Sequence, residues 1–191
     1  MLPHARIAAV ATAYPPYILD QSEVVERSRE MFAPDVPGFE RFTEAYRNAA
    51  IDTRHSCVPI DWYSQPHPFS ERNDLFIENA VDLLAEVAEN LFAEAGIKAS
   101  DVDGLVVVST TGIATPSLDA LLLERLPFRR DVQRLPIFGL GCGGGVTGLA
   151  RAAQMAMTRP DSCVLFLVVE LCGLTFRVND ISKSNIIATA L

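Results

Sequence analysis

The glycine-rich stretch from Phe138 to Val146 constrains the fold of this chain more than any other part of the sequence. An apolar run, residues 135–138, leads into it, and a helix-like run, residues 147–157, follows it. The pattern predicts a strand, a tight turn and a helix, because glycine permits positive φ and lets other atoms approach the backbone closely. Cys142 stands in the middle of this turn.

Three interpretations of Cys142 remain open on the local pattern alone. The first is an inert cysteine that packs like a small hydrophobic residue. The second is a dinucleotide-binding loop, because Gly139, Gly141 and Gly144 fit G-x-G-x-x-G, although Pro136 in the preceding strand argues against it. The third is a nucleophile, because the unpaired N–H groups and positive dipole end of a helix favour a thiolate and can hold an oxyanion.

Composition limits the classes of function that the chain can have. Its 191 residues allow one domain, with two small ones possible, and 49% of them are hydrophobic, which is enough for a core. The net charge of −8 argues against broad nucleic-acid binding. We expect no metal, no signal peptide, no membrane span and a reducing, cytoplasmic setting. The cysteines show neither C-x-x-C nor metal-ligand spacing: Cys57, Cys142, Cys163 and Cys172.

Apolar runs alternate with helical patterns along the chain. We predict strands at residues 7–13, 105–108, 135–138 and 163–169. We predict helices at residues 22–32, 38–50, 74–95, 119–126 and 147–157. Prolines in residues 59–72 predict a long loop. The alternation predicts an α/β fold, with a mostly parallel sheet and helices on both faces.

Three motifs in order resemble the type III polyketide synthases, the chalcone synthase-like branch of the thiolase superfamily. Residues 141–145, Gly-Cys-Gly-Gly-Gly, resemble the active-site segment of that family. Residues 109–116 resemble its T-T/S-G loop, and residues 169–177 resemble the segment after the next core strand. The resemblance covers nearly the whole chain and is strongest to bacterial alkylpyrone and alkylresorcinol synthases. It implies a thiolase-like fold, of which residues 1–191 form the first of two duplicated halves.

The resemblance also implies a reaction and a set of site residues. Cys142 would be acylated by an acyl-CoA starter and condense it with malonyl-CoA, in a homodimer that needs no cofactor beyond these coenzyme A thioesters. Thr110 and Thr111 would line the acyl pocket, and Thr115 would reach toward the partner subunit. Substrate-binding positions further along are also implied: Cys172 and Thr175 bordering the cyclisation pocket, and Arg54 at the coenzyme A phosphates.

Each of these assignments has a structural alternative. The threonine hydroxyls would cap the helix that starts near Ser117, Arg54 would form a surface salt bridge, and Cys172 would pack in the core. Glu170 follows the last predicted strand. We expect its carboxylate to anchor neighbouring backbone rather than to act as an acid, because buried carboxylates must be paired.

The catalytic histidine and asparagine of that family lie in the second half of its fold. The resemblance of residues 1–191 is to the first half alone. We therefore expect a fragment, a truncated gene product or the ordered half of a longer chain, and no product from the 191 residues alone. Cys172 replaces the threonine of plant members, so the less polar wall predicts a long fatty acyl starter. The functional alternatives are a ketoacyl synthase III-like condensing enzyme, a nicotinamide-binding protein and a non-catalytic dimerisation half.

Overall fold

The computed structural model describes residues 4–159 and 161–190. In chain order its helices and strands are β1 (Tyr17–Asp20), α1 (Gln21–Phe32), α2 (Thr43–Asn48), β2 (Thr53–Ser56), α3 (Phe69–Ala95), β3 (Gly104–Ser109), α4 (Leu118–Arg125), β4 (Gln133–Phe138), α5 (Gly144–Met157), β5 (Val164–Val168) and α6 (Lys183–Ala188). Short 3-10 turns occur at Phe39–Phe42, Ile60–Ser64, Ala99–Asp101, Gly141–Gly143 and Cys172–Thr175.

The chain folds into two compact units. The first unit contains residues 4–13 and 76–170 of the described chain, and the second contains residues 14–75 and 171–190. We predicted one domain over residues 1–191, and the two units subdivide that span.

A parallel sheet with the strand order β4-β3-β5 forms the core of the first unit. In its register Val107 of β3 lies between Pro136 of β4 and Leu167 of β5. All six residues of β3 are buried, as its continuous apolar pattern predicts. Pro136 lies in β4, at one end of the strand order, which is where a sheet tolerates a residue without an N–H.

Helices α4 and α5 cover opposite faces of this sheet. Val107 lines a cavity of about 210 Å³ together with Leu118 and Asp119 of α4. Val108 faces α5, because a Cβ added at Gly144 would lie 2.7 Å from its Cγ1 atom. Successive side chains of a strand point to opposite faces, so the predicted arrangement of helices on both faces is confirmed.

An ion pair ties α4 to the sheet. Asp119, which is only 1% exposed, accepts a hydrogen bond of 3.1 Å from Arg134 of β4. A buried carboxylate requires such a partner. The pair therefore fixes the loop between β3 and α4 at the end that enters α4.

The second unit combines an antiparallel strand pair with helices α1, α2 and α6. β1 pairs with β2, with Tyr17 opposite Ser56 and Asp20 opposite Thr53. Two small apolar clusters stabilise this unit. One contains Leu19, Val24, Tyr46 and Ala190, and the other contains Phe32, Phe39 and Ile186.

Several predicted elements differ from the structure. Residues 7–13 have no regular secondary structure, and Ile7 and Val10 are 70% and 69% exposed. An apolar run becomes a strand only where a neighbouring backbone supplies hydrogen-bond partners. The predicted helix at residues 38–50 is a 3-10 turn followed by the short α2.

Two further boundaries were predicted wrongly. The predicted loop at residues 59–72 contains a 3-10 turn, and α3 begins within it at Phe69. α5 begins at Gly144, three residues earlier than predicted. Among the helices of residues 4–159 and 161–190, none combines the length and apolarity needed to cross a membrane.

Candidate active site

The carboxyl ends of three adjacent parallel strands bring the predicted reactive groups of the first unit together. β3, β4 and β5 end at Ser109, Phe138 and Val168. Polar residues that follow the ends of parallel strands meet at one edge of the sheet. Here these residues are Thr110 and Thr111 after β3, the cysteine turn after β4 and Glu170 after β5.

Cys142 is exposed in the 3-10 turn Gly141–Gly143. This turn ends directly before Gly144, the first residue of α5. Gly139 and Gly141 have φ values of +84° and +53°, a conformation that residues with a side chain rarely adopt. The predicted strand, glycine turn and helix are therefore confirmed. The start of α5, which is the positive end of the helix dipole, lies close in sequence to the thiol and favours negative charge there.

Close packing fixes the position of α5 on the sheet. A Cβ added at Gly148 would lie 2.6 Å from both Phe166 and Val108 side chains. A larger residue at Gly148 would push the helix away from β3 and β5. The glycines of this segment thus serve both the turn and the contact between helix and sheet.

The carboxylate of Glu170 binds the segment that follows β3. Its Oε1 atom accepts a hydrogen bond of 2.8 Å from the Thr110 N–H, and its Oε2 atom accepts one of 3.0 Å from the Thr111 N–H. The Thr111 hydroxyl also donates to Oε2. Backbone donors suit a carboxylate because bonds to an ionised acceptor are stronger than neutral ones. The prediction that Glu170 anchors neighbouring backbone is confirmed.

Thr110 extends this connection to the cysteine turn. Its hydroxyl oxygen accepts a hydrogen bond of 3.0 Å from the Gly141 N–H. Glu170 therefore holds Thr110, and Thr110 holds the residue that precedes Cys142. The hydroxyls of Thr110 and Thr111 form hydrogen bonds at the strand ends rather than at the start of α4. The side chain of Ser117, the residue before α4, forms no capping hydrogen bond either.

The other cysteines differ from Cys142 in their surroundings. Burial raises the pKa of the Cys57 thiol to about 11. Burial also raises the pKa of Cys163, and the negative charges of Asp103 and Asp101 add to this effect. Both thiols therefore stay protonated and unreactive at neutral pH, because the thiolate is the nucleophile.

Cys172 and Thr175 belong to a 3-10 turn of the second unit. The Thr175 hydroxyl donates a hydrogen bond of 2.7 Å to the Cys172 carbonyl oxygen. Arg72 donates to the carbonyl oxygens of Leu174 and Thr175 over 3.3 and 3.2 Å. Cys172 is exposed, so the alternative that it packs in the core is wrong. Thr115 is also exposed, in the loop between β3 and α4.

Arg54 lies half-buried in the second unit. Its guanidinium donates to the carbonyl oxygen of Thr189 over 2.8 Å and to the side-chain oxygen of Gln21. Burial lowers the pKa of Arg54, because it disfavours the charged form. These contacts connect β2 to the first residue of α1 and to the residue that follows α6. A contact between Arg54 and the coenzyme A phosphates stays a prediction.

Two residues that hold the Cys172–Thr175 turn, Arg72 and Tyr63, were not predicted from the sequence. Arg72 binds two carbonyl oxygens of the turn, and Tyr63 lies against Gly173. About 100 residues separate these partners in the sequence. The local signal for such a contact was Gly173, which stands between the two predicted pocket residues Cys172 and Thr175. A glycine in such a place indicates that another group approaches the backbone closely.

Comparisons with known proteins decide the family. Residues 3–191 match the family described as chalcone and stilbene synthases, N-terminal domain. The chain belongs to this family. The motif resemblance to type III polyketide synthases is confirmed.

Individual members of the family show the same likeness. A 1,3,6,8-tetrahydroxynaphthalene synthase of Streptomyces peucetius subsp. caesius is 38% identical over 97% of this chain and 49% of that protein. The protein of Mycobacterium tuberculosis (strain ATCC 25618 / H37Rv) named alpha-pyrone synthesis polyketide synthase-like Pks18 is 27% identical over 88% of this chain and 44% of its own length.

A solved structure confirms the fold of this chalcone and stilbene synthase domain. The crystal structure of 1,3,6,8-tetrahydroxynaphthalene synthase from Streptomyces coelicolor A3(2), a bacterial type III polyketide synthase, matches with a TM-score of 0.89 and 25% identity. The match covers 96% of this chain and 53% of that one. The chain thus spans about half the length of these relatives, and the predicted thiolase-like α/β half is confirmed.

The cysteine environments predict an order of thiol reactivity. At pH 8 we expect iodoacetamide to modify Cys142 and Cys172, which are exposed, and to leave Cys57 and Cys163 unmodified. Cys57 should become reactive only as the pH approaches 11, because its raised pKa keeps the thiol protonated below that value. Peptide mass spectrometry at a series of pH values measures this. Modification of Cys57 at pH 8 as fast as that of Cys142 would contradict it.

The bond between Thr110 and Gly141 predicts a local effect on the cysteine turn. In Thr110→Val the Gly141 N–H loses its acceptor, whereas Thr110→Ser keeps a hydroxyl at the same place. We expect amide exchange in the peptide around Gly141 to become about five to ten times faster in the valine variant, the equivalent of one hydrogen bond. Hydrogen–deuterium exchange mass spectrometry measures this, with the serine variant as the control. Equal exchange in both variants would show that the bond does not hold the turn.

Proposed function

We propose that the chain is the half of a type III polyketide synthase that carries the nucleophile, and that Cys142 is the residue that holds the growing acyl chain. The supporting observation is the position of Cys142, exposed between the end of β4 and the start of α5 in a turn that Thr110 and Glu170 hold. An exposed thiol at a helix start is suited to nucleophilic attack.

The proposed reaction begins with transfer of the starter. The Cys142 thiolate attacks the thioester carbonyl of an acyl-CoA, the carbon–sulfur bond to coenzyme A breaks, and the coenzyme A thiolate leaves. Malonyl-CoA then loses carbon dioxide to give an enolate. The enolate attacks the carbonyl carbon bound to Cys142, and the cysteine thiolate leaves. The chain is now two carbons longer and can return to Cys142, until it cyclises to a pyrone or resorcinol.

The groups that stabilise the enolate belong, in this proposal, to the rest of a longer protein. A histidine and an asparagine would supply hydrogen bonds to the developing oxyanion, a contribution that is large in acyl transfer. The 191-residue chain alone would then form no polyketide. The outer surface of α5 is consistent with a covering partner, because Val146 and Leu149 are 78% and 44% exposed.

We propose a long fatty acyl-CoA as the starter. The Thr175 hydroxyl is bound to the Cys172 carbonyl oxygen, so a wall built from these residues would offer a methyl group and a thiol rather than free hydroxyls. Such a wall suits an alkyl chain, because an unpaired hydroxyl against an alkyl chain costs about 1–3 kcal/mol. The name of the Mycobacterium tuberculosis relative, which refers to alpha-pyrone synthesis, fits pyrone products.

The reaction is tested with the complete protein, malonyl-CoA and starters from acetyl-CoA to stearoyl-CoA, with coumaroyl-CoA included. We expect an acyl adduct on Cys142 in intact-protein mass spectrometry, the highest kcat/KM for the long starters, and pyrone or resorcinol products. Cys142→Ala should carry no adduct and form no product, because Cys142 is the cysteine of the glycine turn at the start of α5.

The controls separate the competing functions. Acylation from an acyl carrier protein but not from acyl-CoA would instead indicate a ketoacyl synthase III-like enzyme. Acylation of Cys142→Ala would remove Cys142 from the mechanism. A preference for acetyl-CoA or coumaroyl-CoA would exclude the long-chain starter while leaving the reaction type intact.

We further propose that the complete protein is a cytoplasmic homodimer, with the Thr115 loop at the interface. Thr115 is exposed, and the exposed Ile113 and Phe138 lie on the same cavity beside this loop. Exposed apolar side chains that adjoin one another are typical of an interface. Light scattering at micromolar concentration should give twice the mass of one chain. An active protein that has the mass of one chain would exclude the dimer.

A further inference from the structure

Gly173, in the Cys172–Thr175 turn, lies directly against Tyr63. A Cβ added at Gly173 would be 2.5 Å from the Tyr63 hydroxyl oxygen and 3.5 Å from the ring carbon that carries it. The first distance is shorter than any tolerable contact, whereas the second is an ordinary one. The tyrosine oxygen alone therefore excludes a side chain at Gly173.

Tyr63 cannot easily move away from the turn. Its hydroxyl lies 2.8 Å from the Ser56 hydroxyl, which itself donates to the Val58 carbonyl oxygen over 2.7 Å. Ser56 has only one proton to donate, so Tyr63 is the donor in the bond between the two hydroxyls. Burial raises the pKa of Tyr63 and keeps this hydroxyl protonated.

Aromatic neighbours hold the Tyr63 ring as well. It makes edge-to-face contacts with Trp62 and Phe176, at centroid distances of 5.2 and 5.9 Å. Such contacts prefer a defined geometry. An added methyl group at Gly173 would therefore displace the turn rather than the ring.

The side chains of the turn differ in exposure. Leu174 is buried within the second unit, whereas Cys172 and Thr175 are exposed. Movement of the turn away from Tyr63 would displace these two side chains with it. Under the proposed function they form part of the pocket wall, so the movement would disturb the fit of a long starter more than that of a short one.

We propose that the contact between Tyr63 and Gly173 fixes the position of the pocket wall that Cys172 and Thr175 form, so that Tyr63 is a positioning residue for the length of the starter. This inference rests on the proposed function, because only that function gives Cys172 and Thr175 a place in the pocket wall. Tyr63 acts through the backbone of the turn and does not touch the substrate.

A double-mutant cycle in the complete protein tests the inference. The measured quantity is the ratio of kcat/KM for stearoyl-CoA to that for hexanoyl-CoA. Gly173→Ala should lower this ratio about tenfold, a size that matches the strain of one methyl group forced into a packed site. Combined with Tyr63→Phe, the same change should lower it by less than about twofold, because the remaining ring carbon leaves room for the methyl group.

Tyr17→Phe is the matched control for the second substitution. Tyr17 is exposed in β1, so its hydroxyl cannot relieve the strain, and Gly173→Ala with Tyr17→Phe should keep the tenfold loss. The inference is overturned if Gly173→Ala leaves the ratio unchanged, or if Tyr63→Phe does not restore it. Restoration by Tyr17→Phe would equally exclude a specific contact.

A second measurement keeps the test independent of the proposed function. If the wild-type protein forms no product from any starter, the proposed function fails. The rate at which iodoacetamide modifies Cys172 in the Cys142→Ala background then reports the position of the turn. Gly173→Ala should change this rate severalfold, and Tyr63→Phe should return it to the starting value. An unchanged rate would show that the turn does not move.

Discussion

The carboxylate of Glu170 is the group on which the arrangement of the first unit's site depends. It receives three hydrogen bonds from Thr110 and Thr111, and Thr110 in turn accepts the Gly141 N–H. Loops that follow parallel strands are otherwise free to diverge, because the ladder of hydrogen bonds ends with the strands. A carboxylate after β5 that binds the backbone after β3 extends the sheet's order by two residues. The segment before Cys142 gains a fixed partner as a result.

The glycines around Cys142 also determine the position of the cysteine turn. Gly139 and Gly141 allow the chain to leave β4 with positive φ, and Gly148 lets α5 approach Val108 and Phe166 of the sheet. The helix start is thereby held at the same edge as Thr110. Both effects are needed to position the thiol. Without close packing, α5 could shift on the sheet. Without the turn, the chain could not pass from β4 into α5 at this place.

The sequence predicted those parts of the structure that local pattern determines. The continuous apolar run in β3 indicated a strand buried on both faces, and the glycine turn indicated a strand-to-helix transition. Residues 7–13 show the limit of such patterns. They are as apolar as a strand, yet Ile7 and Val10 are exposed and irregular in structure. Strand formation needs a neighbouring backbone, and apolar composition does not reveal whether one is present.

Contacts between segments that are distant in the sequence could not be predicted either. The Cys172–Thr175 turn shows why such contacts matter for substrate specificity. From its residue type alone, Thr175 would be expected to place a free hydroxyl in a pocket. In the structure its hydroxyl binds the Cys172 carbonyl oxygen, and Arg72 holds the next carbonyl groups. The polarity of the turn's exposed side is therefore set by hydrogen bonds that the residue names do not reveal. Its position is set separately, by the space that Tyr63 leaves at Gly173. Because packed groups rarely shift without cost, a change behind the turn can alter a pocket as much as a change of the residues that line it.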